Sequence, residues 1–246
     1  MISATIITFN EEENIRQVLK SLQGVVDEVV IVDSGSSDNT VKIAKKMGAK
    51  VSIRKFDDFS TQKNWAVAQT SGDWILSLDA DERIPEVLGE EIKKAVEKDY
   101  AGFLIPRRNF ILGQEIKHSR WSPDKHIWLW KKDCGRWEGA VHEEVVVNGK
   151  VGELKTAKVN YQDKTIARFM SKNDFYSTIY ANYLFKQGTR FSYFHLFFDP
   201  FYEFILRYFY KLGFLDGMRG FILCYLMAIY KISIWIKIHE AQYLKR

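Results

Sequence analysis

Val29-Val30-Ile31-Val32, closing on Asp33, is the run whose reading decides the fold. It is short, β-branched and apolar at every position, the composition of a parallel strand covered on both faces. Upstream, Ala4-Thr5-Ile6-Ile7-Thr8 reads the same way. Between the two strands, Asn10 is placed to cap a helix with Glu13 three residues on, and Ile15, Val18, Leu19 and Leu22 recur on one face before Gly24 stops it. Downstream the alternation continues. A helix capped at Ser37 or Asp38 runs to Met47, a strand passes through Val51-Ser52-Ile53, and a helix spans about Ser60 to Gln69. Trp74-Ile75-Leu76-Ser77-Leu78 is the next strand, ending at Asp79, and Pro85 opens a helix reaching about Lys98. Strands alternating with helices at this spacing predict an α/β fold with a doubly wound, mostly parallel sheet.

From Gly102 to Gln162 the period changes. Ile127-Trp128-Leu129-Trp130, Val145-Val146-Val147 and the turn Asn148-Gly149 predict a small antiparallel region with a hairpin. From Thr165 the pattern is helical, aromatic and broken by glycines at 188, 213, 217 and 220. The expected division is therefore a catalytic α/β domain over 1–164 and a helical, aromatic-rich extension over 165–246. No internal repeat or low-complexity linker interrupts the chain.

At 246 residues, 46% apolar and 27% charged, with only 4 prolines, the chain is neither disordered nor fibrous, and it has the size of one α/β domain with an appendage. Its two cysteines, Cys134 and Cys224, have neither metal-ligand nor redox spacing, which argues against a disulfide framework or a zinc knuckle and for a reduced, cytosolic protein. Glu11, Glu12 and Glu13 stand where a secretory leader needs its apolar core, so none is expected. The net charge of +5 is confined to residues 186–246, because the first 185 residues balance.

In open α/β sheets ligands gather at the carboxyl ends of the parallel strands. Thr8-Phe9-Asn10, Asp33-Ser34-Gly35-Ser36-Ser37-Asp38 and Asp79-Ala80-Asp81-Glu82 all lie at such ends and are expected to converge on one edge. Neither the glycine-rich dinucleotide fingerprint nor the Walker lysine loop is present. Asp79, Asp81 and Glu82 repel one another unless a cation intervenes, and a hard divalent ion shared with substrate phosphates suits such a group. The plainer alternative is that Asp81 or Glu82 caps the helix after Pro85.

Asp33, Asp38, Lys63-Asn64 and the Asp79 to Asp81 run, in this order and on this strand rhythm, resemble the family 2 glycosyltransferases of the GT-A fold over roughly residues 2–110. The resemblance implies a nucleoside-diphosphate sugar donor, a UDP-sugar above all. Thr8, Phe9 and Asn10 would then lie at the nucleotide, Phe9 near the base, with Asp33 on base or ribose, Lys63 near the diphosphate, Asp79 toward the ribose and Asp81 on Mg²⁺ or Mn²⁺. Against these stand a loop-capping role for Asp33 and a solvated position for Lys63.

Inverting transfer needs a carboxylate to take the acceptor's proton. Trp137-Glu138-Gly139-Ala140-Val141-His142-Glu143-Glu144 looks like the Val-His-Glu motif of the lipopolysaccharide-core glucosyltransferase branch, which implies Glu143 as base with His142 assisting. Glu138 and Glu144 are its rivals, and a buried structural imidazole is the alternative for His142. Strand alternation puts Glu143 and Glu144 on opposite faces. Arg120-Trp121 and Arg136-Trp137 lack the glutamine that the processive synthases carry three positions before the arginine, so addition of a single sugar is expected.

Sixteen of the 36 aromatic residues lie between Phe191 and Trp235, interleaved with Arg207, Lys211, Arg219 and Lys231. This suits helices lying in an anionic bilayer interface. The uncharged run from Phe221 to Tyr230 is ten residues, against the roughly twenty a span needs. The expectation is thus a peripheral enzyme at the inner face of the cytoplasmic membrane, acting on a glycolipid or lipid-linked saccharide. The alternative is packing of these aromatics onto the domain or a second subunit in a homo-oligomer. No RNA-binding motif accompanies them, so nucleic acid is not an expected partner. The rival functions are a sugar nucleotidyltransferase and a non-catalytic membrane adaptor on the same scaffold.

Overall fold

The structure is a computed structural model that describes residues 1–139 and 143–244. The chain begins with β1 (Ile2–Thr8), α1 (Glu12–Leu22), β2 (Glu28–Asp33), α2 (Thr40–Lys46), β3 (Lys50–Ile53), α3 (Phe59–Ala68) and β4 (Trp74–Asp79). A two-residue strand β5 (Glu82–Arg83) and α4 (Glu86–Ala95) follow. Next come β6 (Gly102–Ile111), β7 (Gln114–Ile116), β8 (Lys125–Lys131), β9 (Gly135–Glu138), β10 (Glu144–Val147), β11 (Val151–Glu153) and β12 (Lys158–Tyr161). The helices α5 (Ile166–Lys186), α6 (Tyr193–Ile205) and α7 (Gly217–Tyr243) complete it.

The sheet runs β3-β2-β1-β4-β8-β6-β12-β5. Its first four strands are parallel, and β8 joins them antiparallel between β4 and β6. This is the α/β architecture expected from the strand rhythm, a mostly parallel sheet with a small antiparallel region and C-terminal helices. The apolar strands are covered on both faces: Ile6, Ile31, Ile75, Leu76 and Leu78 are all buried. Each such side chain contributes about 1.5–3 kcal/mol relative to exposure. Ile15, Val18, Leu19 and Leu22 of α1 are buried as the periodicity requires.

Two local expectations are corrected. Asn10 does not cap α1; Glu11 occupies that position without a side-chain cap, and Asn10 adopts a left-handed backbone with φ 54°. Its amide instead serves a neighbouring loop. Asn148-Gly149 does not close a hairpin either, because β10 pairs antiparallel with β9 while β11 crosses to lie parallel beside β6. A turn-forming dipeptide fixes a reversal but not which strand receives the chain.

The chain forms two compact units, one of Met1–Arg108 with Asp124–Asn160, the other of Asn109–Pro123 with the residues from Tyr161 onward. In the second unit, the end of β6 pairs with β7, and Ile111, Ile116, Phe169, Leu223 and Leu226 form an apolar core. Helix α7 packs along both α5 and α6. Gly220 permits a close turn at its start, since a Cβ there would lie 2.0 Å from the Gly213 carbonyl oxygen.

Large apolar side chains of α6 remain exposed, with Tyr193 at 72%, Phe197 at 73% and Phe201 at 67%. The nearby acids turn inward. Glu203 and Asp216 are buried, and Asp199 accepts from the Trp235 indole at 2.8 Å and lies 3.0 Å from His195. Lys211 and Arg219 are exposed on the same stretch. The segment Gly213–Tyr243 is long and apolar enough, by length and composition, to cross a membrane. Counting uncharged runs does not show this stretch, because Lys231 and Lys237 interrupt it singly between Phe221 and Ile238.

Candidate active site

Register aligns the strand ends. Thr8 pairs with Asp33 across β1 and β2, and Ile7 pairs with Asp79 across β1 and β4, so the three polar termini lie side by side. Asp33 is fully buried. One of its oxygens accepts the Gly35 and Ser36 amides at 3.0 and 2.7 Å, and the other accepts the Thr8 and Ser36 hydroxyls at 2.8 and 2.6 Å. Four donors fill the acceptor capacity of a carboxylate, so a nucleotide reaching Asp33 must exchange one of them.

Asn10 ties this loop to the end of β1. Its amide N–H donates to the Ser36 hydroxyl at 2.8 Å and its side-chain oxygen accepts the Ser37 N–H at 2.9 Å. Asp38 accepts the Glu12 N–H at 3.1 Å, and Glu12 in return accepts the Asn39 N–H at 3.0 Å. These reciprocal bonds leave Phe9 59% exposed beside a stiffened polar loop.

Lys63 is not a solvated helix lysine. It is buried, with Nζ 2.9 Å from Glu143 Oε1 and 3.4 Å from Asp79 Oδ1, and it lies 4.2 Å from the Trp137 ring centre. Burial disfavours its charge, but Asp79 and Glu143 outweigh that and hold its pKa above the ordinary lysine range. Of the three candidate bases, Glu143 is the one drawn inward. Glu138 pairs with Arg136 at 2.6 Å on the surface, and Glu144 is exposed. His142 lies outside the described residues, as do Ala140 and Val141.

The three carboxylates at the end of β4 do not form one cluster. Asp79 and Asp81 are half-buried, whereas Glu82 is fully buried and neutralised by the protein's own cations. Its Oε2 accepts Lys158 Nζ at 2.6 Å and its Oε1 accepts Arg107 at 3.3 Å. Lys158 is itself completely buried, 3.1 Å from the Trp128 ring centre, and burial pushes its pKa down to about 8 against the pull of Glu82. Arg107 stays firmly charged, Glu82 and Asp124 outweighing its burial. The repulsion that seemed to demand a metal among all three acids is thus relieved internally for Glu82. Among the described residues no group of three His, Cys, Asp or Glu side chains is placed to hold a metal ion. Two half-buried carboxylates at a strand end still fit a hard divalent cation completed by phosphate and water.

In the sequence Asn64 stands out only beside Lys63 and has no role of its own, and Ser60 does not stand out at all. Asn64 brackets the Trp137 backbone, donating to its carbonyl and accepting its N–H, both at 2.9 Å. The Ser60 hydroxyl donates to the Gly139 carbonyl. Together they dock β9 and Gly139 onto α3. The signal that could have found them is the buried polar face of α3, where Ser60, Gln62 and Lys63 replace apolar residues.

The mostly parallel sheet with C-terminal helices is a GT-A fold, and the family follows from known proteins. Glycosyl transferase family 2 matches residues 3–140, and the chain belongs to that family. Uncharacterized glycosyltransferases of Rickettsia felis and Rickettsia typhi are 32% and 31% identical, across 98% and 97% of this chain and 90% and 87% of theirs. The lipopolysaccharide core biosynthesis glycosyltransferase LpsC of Rhizobium meliloti is 29% identical, covering 99% of this chain and 94% of that protein. Among solved structures, S. aureus TarS 1-349 in complex with UDP-GlcNAc superimposes with a TM-score of 0.50 at 16% identity, covering 100% of this chain and 92% of that one, a likeness of fold.

Proposed function

We propose that the protein moves one sugar, with inversion, from a nucleoside-diphosphate sugar, a UDP-sugar above all, to a hydroxyl of a glycolipid or lipid-linked saccharide. The single observation that carries this reading is the meeting of Glu143, Lys63 and Asp79 beside the carboxyl ends of β1, β2 and β4. Residues 1–164 hold the donor site and the catalytic groups; residues 165–246 form the extension. Phe9 offers a ring face to the base, Thr8, Asn10 and Asp33 line the nucleoside end, and Asp79 faces the ribose.

Glu143 takes the proton of the acceptor hydroxyl as its oxygen bonds to the anomeric carbon. The bond from that carbon to the diphosphate breaks on the opposite face, and its electron pair leaves with the nucleoside diphosphate. Lys63 neutralises Glu143 in the donor-free protein. A diphosphate competes for the same ammonium, and a carboxylate released from that pair is free to accept a proton. His142 assists at the diphosphate. Asp81 would hold Mg²⁺ or Mn²⁺, which when bound supplies Lewis-acid stabilisation of the departing diphosphate.

The acceptor class rests on the relationship to LpsC and on the second unit. The exposed aromatics of α6, the inward-turned acids and the outward Lys211 and Arg219 suit an anionic lipid interface, at the inner face of the cytoplasmic membrane.

The test is a nucleotide-sugar screen read by thermal stabilisation with and without Mn²⁺, followed by product analysis with membrane lipid extract as acceptor. A ligand bound to the native state alone raises its melting temperature. The reading requires release of nucleoside diphosphate, lost in Asp81→Asn and Glu143→Gln. Release of pyrophosphate would instead assign a nucleotidyltransferase, and cellular function unaffected by either substitution would assign a non-catalytic adaptor.

A further inference from the structure

We propose that Glu82, gripped by Lys158 and Arg107, is a positioning residue that sets the Asp79-Ala80-Asp81 turn at the donor site; the inference rests on the donor-site reading above. Glu82 Oε2 accepts the Asp79 backbone N–H at 2.9 Å in addition to Lys158 Nζ at 2.6 Å. The next residue holds the same turn, since the Arg83 guanidinium donates to the Ala80 carbonyl at 2.8 Å and to the Glu82 carbonyl at 2.6 Å. Asn160 sits opposite Glu82 where β12 pairs with β5, two positions from Lys158 in the chain. Arg107 is in turn oriented by Asp124, which accepts its Nε at 2.7 Å. The turn is therefore fastened at its first amide and its middle carbonyl by side chains anchored in the sheet.

The physical argument concerns direction, not stability. A buried ion pair commonly contributes no more than well-packed apolar residues of the same volume, because two charges must be stripped of water. This pair supplies a fixed acceptor for one backbone amide, and hence a fixed placement for the carboxylate two residues on. A catalytic or ligand-holding carboxylate must be held to within roughly half an ångström, and the residues behind it determine that precision.

The experiment uses the full-length protein and three variants: Glu82→Gln, Lys158→Met, and the paired Glu82→Leu/Lys158→Met. Removing one partner strands a buried charge, so the paired variant is the decisive one. Arg107 keeps Asp124 in that variant. The expected result is a melting temperature near that of the unsubstituted protein, amide exchange at residues 79–81 faster by about tenfold, and a nucleotide-sugar KM raised about 10–100-fold with a smaller fall in kcat. Glu82→Gln, which keeps an acceptor for the Asp79 amide, should recover part of the KM. A folded paired variant with unchanged exchange and unchanged KM overturns the proposal, as does a loss of melting temperature with no change in KM. Should the paired variant not fold, the same two readouts on Glu82→Gln decide it. If the unsubstituted protein binds no nucleotide sugar, the functional reading fails, while exchange at 79–81 still decides the role of Glu82.

Discussion

Lys63 and Glu143, 80 positions apart in the chain, meet with Nζ 2.9 Å from Oε1, and the same ammonium stands 3.4 Å from Asp79. One buried cation thus serves two acids from different elements, and whatever draws it away alters both. Glu143→Gln should keep this contact as a hydrogen bond from the ammonium to a neutral amide oxygen while removing the base. The expected outcome is a fall in kcat of about 10²–10⁴, with donor affinity by calorimetric titration little changed. Wild-type turnover by Glu143→Gln would remove it from the mechanism.

Lys63→Met should act differently. It leaves Asp79 and Glu143 facing each other without their shared cation, so donor binding should weaken by at least about tenfold and stability should fall by about 3–5 kcal/mol. Lys63→Arg should retain more of both. Equal donor affinity in all three proteins, measured by titration, would argue that Lys63 never meets the donor.

The Asn64 side-chain amide is matched to the backbone N–H and C=O of one residue, Trp137, by two hydrogen bonds of 2.9 Å. Asn64→Ala should cost about 1–3 kcal/mol, since the Trp137 backbone groups lose their partner. Urea denaturation followed by tryptophan fluorescence would measure this. Because β9 pairs with β10, whose first residue follows Glu143, activity should fall with it even at temperatures where the variant is folded.

Glu28 provides a pH signature. Burial alone would raise its carboxyl pKa, but hydrogen bonds from Lys50, Ser3 and Ser71 reverse this and bring it from 4.5 to about 2. A depressed carboxyl pKa stabilises the fold above the ordinary value, and that contribution is lost as pH falls through the folded one. The stability advantage of the protein over Glu28→Gln should therefore be full at pH 7 and disappear between about pH 5 and pH 2. A difference independent of pH would show that packing, not charge, distinguishes the two.

The aromatic face of α6 predicts lipid binding that depends on both ring and charge. Replacing Tyr193, Phe197 and Phe201 with serine should abolish sedimentation with anionic vesicles while leaving the melting temperature within a few degrees, because these rings are exposed. Binding of the unsubstituted protein should weaken with salt, each exposed Lys or Arg contributing about 1 kcal/mol. A dimer that dissociates on the same substitutions, with no lipid binding, would assign this face to a second copy of the chain.

The sequence by itself determined the strand and helix rhythm through residue 98, the buried face of α1, and the placement of Thr8, Asp33 and Asp79 at strand ends. These follow from periodicities of two and 3.6 residues, which are local properties of the backbone. Only the tertiary structure decided how the charges are shared. Glu82 is adjacent in sequence to Asp81, yet its partner Lys158 is 76 positions away, and nothing in either segment marks the pair. By sequence Lys63 stands near the diphosphate only through resemblance, with a solvated lysine as the alternative; the acids that bury it come from β4 and from the residue before β10. Asn148-Gly149 marked a reversal, but its destination beside β6 depended on which sheet edge was open. Charge compensation and strand pairing act between segments distant along the chain, and a local pattern carries no record of the partner that folding brings alongside.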